Sequence, residues 1–245
     1  MHRFFLPNLQ QPVLGAAEAH HALHVLRLKV GDTLNVFDGR GHEAQCAIAE
    51  ISKDTVRLKV LARSATSALP FRITLAQAIP KKTMDLIVQK ATELGVASIV
   101  PLASERTLVK LDDDSKKMDR WREIALESCK QCGNNWLPEI QPPRKLRDFL
   151  GALPNFDLKL IASLQPDAKP LKTILPGASA LGHPGASSVL VLIGPEGDFT
   201  PAEINLAKSA GCLPLSLGPL VLRAETAAIA AVAVARSELE SATSV

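Results

Sequence analysis

The chain has 245 residues, 47% of them apolar and 22% charged, with a formal net charge of +3. That balance supports buried cores in two domains of ordinary size and excludes a disordered or fibrous chain. Aromatic residues make up 4% and tyrosine is absent, which excludes a single-strand binder built on rows of stacking rings.

Residues 1–7 hold no apolar core long enough for a signal peptide, and no stretch approaches the ~20 apolar residues that span a bilayer. A soluble cytoplasmic protein is expected. The first 65 or so residues read as mostly β. A short helix is expected over 18–28, a strand over 33–37 running into the tight turn Asp38-Gly39, and an apolar strand over 44–51. Val56, Leu58 and Val60 alternate with Arg57 and Lys59, the period of a half-buried strand. Residues 63–70, with Ser64, Thr66, Ser67 and Pro70, read as a linker.

From Arg72 the pattern turns to alternating strands and helices. Strands are expected at 73–79, 98–102, 158–164, 189–193 and 213–217, and helices at 81–94, 115–131 and 224–239. Gly95 closes the first of these helices, and 158–164 and 189–193 are the continuous apolar runs of strands covered on both faces. Residues 176–188, rich in Gly, Ala, Ser and Pro, read as a mobile loop. Such alternation implies an α/β domain with a mostly parallel sheet and helices on both faces.

Two clusters are read as structural. Cys129 and Cys132 lie three apart with no second pair and no nearby His, so packed, reduced thiols are expected. A metal site at His20, His21 and His24 needs a third ligand and usually a carboxylate, and no HExxH pattern is present, so solvent-facing rings on a short helix are expected. No metal is expected.

Counted by segment, residues 1–70 carry 8 Lys and Arg against 6 Asp and Glu, residues 71–155 carry 14 against 11, and residues 156–245 carry 6 against 8. A polyanionic partner would meet the front of the chain.

The chemistry concentrates in two segments. In Ile193-Gly194-Pro195-Glu196-Gly197-Asp198-Phe199-Thr200-Pro201-Ala202-Glu203 an apolar strand ends in a glycine-rich turn, and Thr200, Pro201 and Glu203 open a helix as N-cap, first-turn proline and capping-box glutamate. Glycine turns at the carboxyl ends of parallel strands expose backbone N–H groups, and ligands bind there. The spacing matches neither the dinucleotide fingerprint nor the Walker phosphate loop. In Leu217-Gly218-Pro219-Leu220-Val221-Leu222-Arg223-Ala224-Glu225-Thr226 a second strand ends in Gly-Pro and leads into an alanine-rich helix. The charged residues there are either helix caps or parts of a pocket shared by the two turns.

Together these segments resemble the SPOUT class of RNA methyltransferases, and within it the ribosomal RNA small subunit methyltransferase E family, which methylates N3 of a uridine in 16S ribosomal RNA. The resemblance covers nearly the whole chain. It includes Arg3-Phe4-Phe5, His24-Val25-Leu26-Arg27, Phe37-Asp38-Gly39, Gln89-Lys90-Ala91-Thr92-Glu93-Leu94-Gly95-Val96, Pro101-Leu102-Ala103-Ser104-Glu105-Arg106 and Glu127-Ser128-Cys129-Lys130-Gln131-Cys132-Gly133. Two positions depart from the family: Asp198 stands where Gly is usual, and Leu220 where Arg is expected.

The resemblance implies a PUA-like RNA-binding β-barrel over 1–68 and a SPOUT domain over 72–245, whose deep trefoil knot forms an S-adenosylmethionine pocket, in a homodimer acting on the small ribosomal subunit. It implies cofactor contacts from Ser163, Leu164, Ile193, Gly194, Pro195, Glu196, Gly197, Leu217, Gly218, Leu222 and Thr226. Glu225 is the candidate to accept the uridine N3 proton and Arg223 to stabilise the anionic uracil; alternatively Glu225 only orients Arg223. Arg3, Arg27, Lys29, Lys81, Lys82 and Arg106 are candidates to grip RNA. The alternative from another class is a non-catalytic RNA-binding or ribosome-assembly factor that keeps the fold.

Overall fold

The computed structural model describes residues 2–107, 115–180 and 187–243. They form two compact units, residues 1–68 with 126–137, and residues 69–125 with 138–245.

The first unit is built on a five-stranded sheet of β1 (Arg3–Phe5), β2 (Val13–Leu14), β3 (Thr33–Phe37), β4 (His42–Ile51) and β5 (Val56–Ala65), in the order β1-β3-β4-β5-β2. Only the β1–β3 pair is parallel. Alternation decides its inner face: Ala44, Cys46 and Ile48 of β4 and Val56 and Leu58 of β5 point inward onto Phe4, Leu14, Leu34 and Val36. The expected turn is present, with Gly39 and Gly41 both at positive φ and Asp38 Oδ1 accepting the Arg40 and His42 N–H groups.

Two expectations need correction here. Residues 63–65 are not linker, because β5 keeps pairing with β4 through Arg63↔Ala44, Ser64↔Glu43 and Ala65↔His42. The helix over 18–28 is instead α1 (Ala16–His20) followed by one π-helical turn, His21–Val25. Arg27, at φ +57°, reverses the chain there, and the Leu28 N–H closes the end on the Ala22 carbonyl.

The second unit is α/β. Its strands are β6 (Arg72–Ala78), β7 (Ser98–Ala103), β8 (Glu139–Ile140), β9 (Arg144–Lys145), β10 (Leu158–Ala162), β11 (Ser188–Ile193) and β12 (Leu213–Leu215). Every pairing is parallel, in the order β12-β10-β11-β6-β7-β8, with β9 also on β7. The helices are α2 (Met84–Glu93), α3 (Ser115–Cys132), α4 (Leu146–Gly151), α5 (Leu171–Ala180), α6 (Pro201–Ser209) and α7 (Ala224–Thr243). Residues 126–132 of α3 belong to the first unit.

Val189 to Ile193 are all buried, as a strand covered on both faces requires. Leu190 and Leu192 join Ala76, Val100 and Leu102 in a cluster with Phe149 of α4 and Ile204 of α6. Alternation turns Val189, Val191 and Ile193 to the other face. There α7, which packs on β6 and β11, buries Ala228, Ala231, Val232 and Ala235, small residues at helical spacing that let helix and sheet approach closely.

The helix expected over 81–94 begins only at Met84, and the strand expected over 213–217 ends at Leu215. The loop expected over 176–188 is helical as far as Ala180 in α5; its residues 181–186 lie outside the described residues. Strand order sets up the site. β12 is the outermost strand beyond β10, yet the next element, α7, packs on β6 and β11. The segment 216–223 therefore leads from the edge of the sheet back to its middle.

Candidate active site

Three loops gather at the carboxyl ends of β10, β11 and β12, where a parallel sheet leaves its last peptide groups unpaired. The first is pinned to the third. Ser163 N–H donates to the Leu215 carbonyl at 3.0 Å, and Ser216 N–H to the Lys169 carbonyl at 2.9 Å. The second is a tight turn in which Asp198 N–H donates to the Pro195 carbonyl at 2.9 Å. Asp198 sits at φ +60°, the left-handed region that Asp tolerates better than most residues, and its Oδ1 accepts the Phe199 N–H at 2.7 Å. Buried Phe199 anchors the turn, and the expected capping box follows: Thr200 N–H donates to Glu203 Oε2 at 2.9 Å, and Glu203 N–H to Thr200 Oγ1 at 3.3 Å. Glu203 Oε1 also accepts the Glu105 N–H at 2.8 Å, tying in the loop after β7.

These loops enclose a cleft lined by Ala162, Ser163 and Leu164; Ile193, Gly194, Pro195, Glu196 and Asp198; and Leu215, Leu217, Gly218, Leu220, Val221, Leu222, Ala224 and Ala227. Its walls are mostly apolar and unusually bare, with Leu164 58%, Leu220 72% and Val221 80% exposed. Among the described residues its only charged lining groups are Glu196 and Asp198, both acidic. Beneath it, buried Gln77 donates through Nε2 to the Ala78 carbonyl at 2.7 Å and the Gly194 carbonyl at 3.3 Å, while its Oε1 has no partner. A cleft of this kind suits a ligand with apolar parts and a positive centre.

Nine of the eleven residues expected to contact a cofactor line this cleft: Ser163, Leu164, Ile193, Gly194, Pro195, Glu196, Leu217, Gly218 and Leu222. Gly197 belongs to the same turn but faces Arg106, whose guanidinium donates to the Gly197 carbonyl. Thr226 is exposed and outside the lining. Arg223 is exposed and Glu225 half-buried, and neither lines the cleft. Glu225 Oε2 accepts the Thr83 hydroxyl at 3.2 Å. Lys81 and Lys82 are exposed, and the Lys81 backbone N–H donates to Glu196 Oε1 at 2.8 Å.

Sequence reasoning passed over Gln77 and Thr83. Gln77 carried one signal, a long polar side chain inside an apolar strand; Thr83 carried none. In the first unit, Arg27 and Lys29 are exposed, whereas the Arg3 side chain is 13% exposed. Its guanidinium pairs with Glu43, donates to Asn135 Oδ1 at 2.7 Å and lies 4.9 Å from the Phe37 ring centre.

The cysteines and histidines play other parts. Cys129 is buried and Cys132 exposed, so the two thiols do not share an environment. His20 and His24 are exposed, their rings 4.8 Å apart. Among the described residues no group of three or more His, Cys, Asp or Glu is placed to hold a metal, and no helix is long and apolar enough to cross a membrane.

Comparison with known proteins bears on the whole chain. Residues 67–236 match the RNA methyltransferase domain family and residues 14–61 the RNA methyltransferase PUA domain. The chain is 31% identical over 238 residues to ribosomal RNA small subunit methyltransferase E of Bacillus subtilis, covering 93% of each protein. Among solved structures, a putative methyltransferase from Legionella pneumophila in complex with SAM is similar at 36% identity and a TM-score of 0.86, over 97% of this chain and 98% of that one. A ribosomal RNA small subunit methyltransferase E from Neisseria gonorrhoeae, bound to S-adenosyl methionine, is similar at 33% identity and a TM-score of 0.86, with the same coverage. A cleft formed by three carboxyl-end loops, and likeness along nearly the full length of these proteins, place the chain in the ribosomal RNA small subunit methyltransferase E family.

Proposed function

We propose that the protein transfers a methyl group from S-adenosylmethionine to N3 of a uridine in 16S ribosomal RNA of the small subunit, as a cytoplasmic homodimer. The observation that carries this reading is the cleft: mostly apolar, acidic in its only charged lining groups among the described residues, and built at the carboxyl ends of β10, β11 and β12. The relatives named above support it, since two of them are solved with that cofactor. We also assign the segment 216–223 to the trefoil knot, a reading supported by its return from the sheet edge to α7.

The residues present fit the cofactor. Gly194 leaves room that a Cβ would fill, coming within 3.0 Å of Asp198 Oδ1. The bare surfaces of Leu164, Leu220 and Val221 offer apolar area to an adenine ring, and Glu196 and Asp198 offer negative charge to a sulfonium. When bound, the cofactor supplies an electrophilic methyl on that sulfonium and leaves as a neutral thioether.

The chain's own part is to orient and to handle charge. Uridine N3 is a poor nucleophile until its proton departs, and the uracil anion then spreads charge onto both carbonyl oxygens. Arg223 immediately precedes α7, at the positive end of the helix macrodipole, where a cation is poorly placed unless an anion joins it. We assign it to the anionic uracil, with the N3 proton passing to solvent. Glu225 is assigned to the Thr83 hydroxyl, which its carboxylate accepts, and not to that proton. Arg27 and Lys29 of the first unit and Lys81 and Lys82 of the second are assigned to RNA phosphates.

The test is incubation with labelled S-adenosylmethionine and small subunits that lack the modification, followed by mapping of the labelled base. One methyl per subunit at N3 of a single 16S uridine is expected. Absence of transfer, or transfer to another base, overturns the reading.

A further inference from the structure

The loop between β6 and α2, residues 79–83, is held at two points by carboxylates from the candidate active-site segments. Glu196, which lines the cleft, takes the Lys81 backbone N–H at 2.8 Å. Glu225, in the first turn of α7, takes the Thr83 hydroxyl at 3.2 Å. Thr83 is the N-cap of α2, where a threonine oxygen ordinarily accepts a backbone N–H of the first helical turn. Here it makes no such bond, and its backbone, at φ −104° and ψ 10°, is not the extended one that capping uses. The hydroxyl is given to a partner 142 residues away instead.

Between the two tethers stand the exposed side chains of Lys81 and Lys82. The cleft's own charged lining is acidic among the described residues, so it repels a polyanion unless cations are fixed nearby. Two lysines on an untethered loop would lose side-chain and backbone entropy on meeting a phosphate. Tethers remove the backbone share of that cost beforehand.

We propose that Thr83, Glu196 and Glu225 are positioning residues for the substrate: they hold the β6–α2 loop so that the Lys81 and Lys82 ammonium groups meet backbone phosphates of the RNA whose base enters the cleft. The proposal rests on the RNA methyltransferase reading above. Glu225 then acts on RNA affinity through Thr83, and its effect belongs in KM rather than in the chemical step.

The experiment compares the full-length protein with Thr83→Val, Thr83→Ser, Glu225→Ala and Glu225→Gln. RNA binding to unmodified small subunits is read by filter retention, and methyl transfer at saturating cofactor gives KM and kcat. Thr83→Val and Glu225→Ala are each expected to weaken RNA binding and raise KM roughly five- to tenfold, with kcat within about twofold. The double variant is expected to be no worse than either single one, as for two ends of one bond. Thr83→Ser and Glu225→Gln, which restore a hydroxyl and an oxygen acceptor, recover most of the loss. Replacing both lysines is expected to reduce the salt dependence of binding by about one phosphate contact for each.

RNA binding by Thr83→Val equal to that of the unaltered protein overturns the proposal. So does a kcat collapse in Glu225→Gln with KM unchanged, which would mark a proton acceptor. If the unaltered protein binds RNA without transferring methyl, the functional reading fails, while the binding comparison still decides the tether.

Discussion

The Cβ that Gly194 lacks would stand 3.0 Å from Oδ1 of Asp198 and 3.2 Å from the Phe199 nitrogen, so a side chain at position 194 and the aspartate compete for the same space. Asp198 is held at φ +60° by its bonds to Pro195 and Phe199, and its carboxylate leans over the turn. A methyl at position 194 must displace this turn, which forms one wall of the cleft. Gly194→Ala is therefore expected to destabilise the protein by about 1–3 kcal/mol and to weaken cofactor binding at least about tenfold. In an Asp198→Gly background the loss should shrink without vanishing, because the Phe199 nitrogen and the Asp198 Cα remain within 3.3 Å. Calorimetric titration of cofactor into the two single variants and the double variant measures the coupling. Strict additivity would show that the two residues do not compete for the space.

The four cysteines divide by burial. Cys46, Cys129 and Cys212 are buried and Cys132 is exposed. Burial pushes the Cys129 thiol up to about 12 and Cys212 up to about 11, since a thiolate loses its hydration there. The thiolate is the reactive form, so one thiol per chain, Cys132, is expected to react promptly with a disulfide reagent near pH 8 in the native protein. All four should react in denaturant. Cys132→Ser should abolish the fast phase, and a second fast thiol would contradict the burial described here.

Arg3 opens the chain like one more basic residue for RNA, but its surroundings give it a different duty. The guanidinium is paired with Glu43, bonded to Asn135 and set over the Phe37 ring, with most of its side chain covered. Removing it leaves the Glu43 carboxylate, whose side chain is 18% exposed, without its cation. Arg3→Ala is expected to cost about 3 kcal/mol, in the range for breaking a covered pair from one side, and to lower the melting midpoint. Arg3→Lys should recover only part, because an ammonium cannot reach carboxylate and amide in the same planar fork. A melting midpoint unchanged in Arg3→Ala would return Arg3 to the class of free surface cations.

How much of this the sequence could disclose follows from the distance over which each feature is determined. The segment from Ile193 to Glu203 was legible because strand, turn, N-cap and capping box all lie within a dozen residues and each obeys a local rule. The two-residue strands β2, β8 and β9 were not, being too short to show a period and present only because a neighbour offers an edge. Strand order was equally hidden: nothing in the apolar run of β11 says that β6 and β10 flank it. The two glycine turns were legible as ligand-binding positions and their cofactor contacts came from family resemblance, but the bonds of Thr83 to Glu225 and of Lys81 to Glu196 span 142 and 115 residues and have no local signature. Arg3 shows the converse limit, since charge alone cannot say whether a cation faces solvent or, as here, a carboxylate.

Asp157 joins β10 to β11 just before both strands begin. Its Oδ2 accepts the Ser187 N–H at 3.0 Å, the Ser188 N–H at 2.9 Å and both serine hydroxyls at 2.9 Å. The Ser187 and Ser188 hydroxyls, and then their backbone N–H groups, hold the carboxyl below its ordinary value of 3.8. A carboxyl that is more acidic folded than unfolded stabilises the fold fully above its unfolded value and loses that effect as pH falls through the folded one. The start of the β10–β11 pair should therefore loosen below about pH 4, and not at neutral pH. Asp157→Asn keeps one acceptor oxygen but removes the charge, so its stability should be lower than that of the unaltered protein at pH 7 and converge on it in acid. Urea unfolding at pH 7, 5 and 3.5 measures this. A difference that stayed constant across the three pH values would show that hydrogen bonding alone, without the charge, holds the junction.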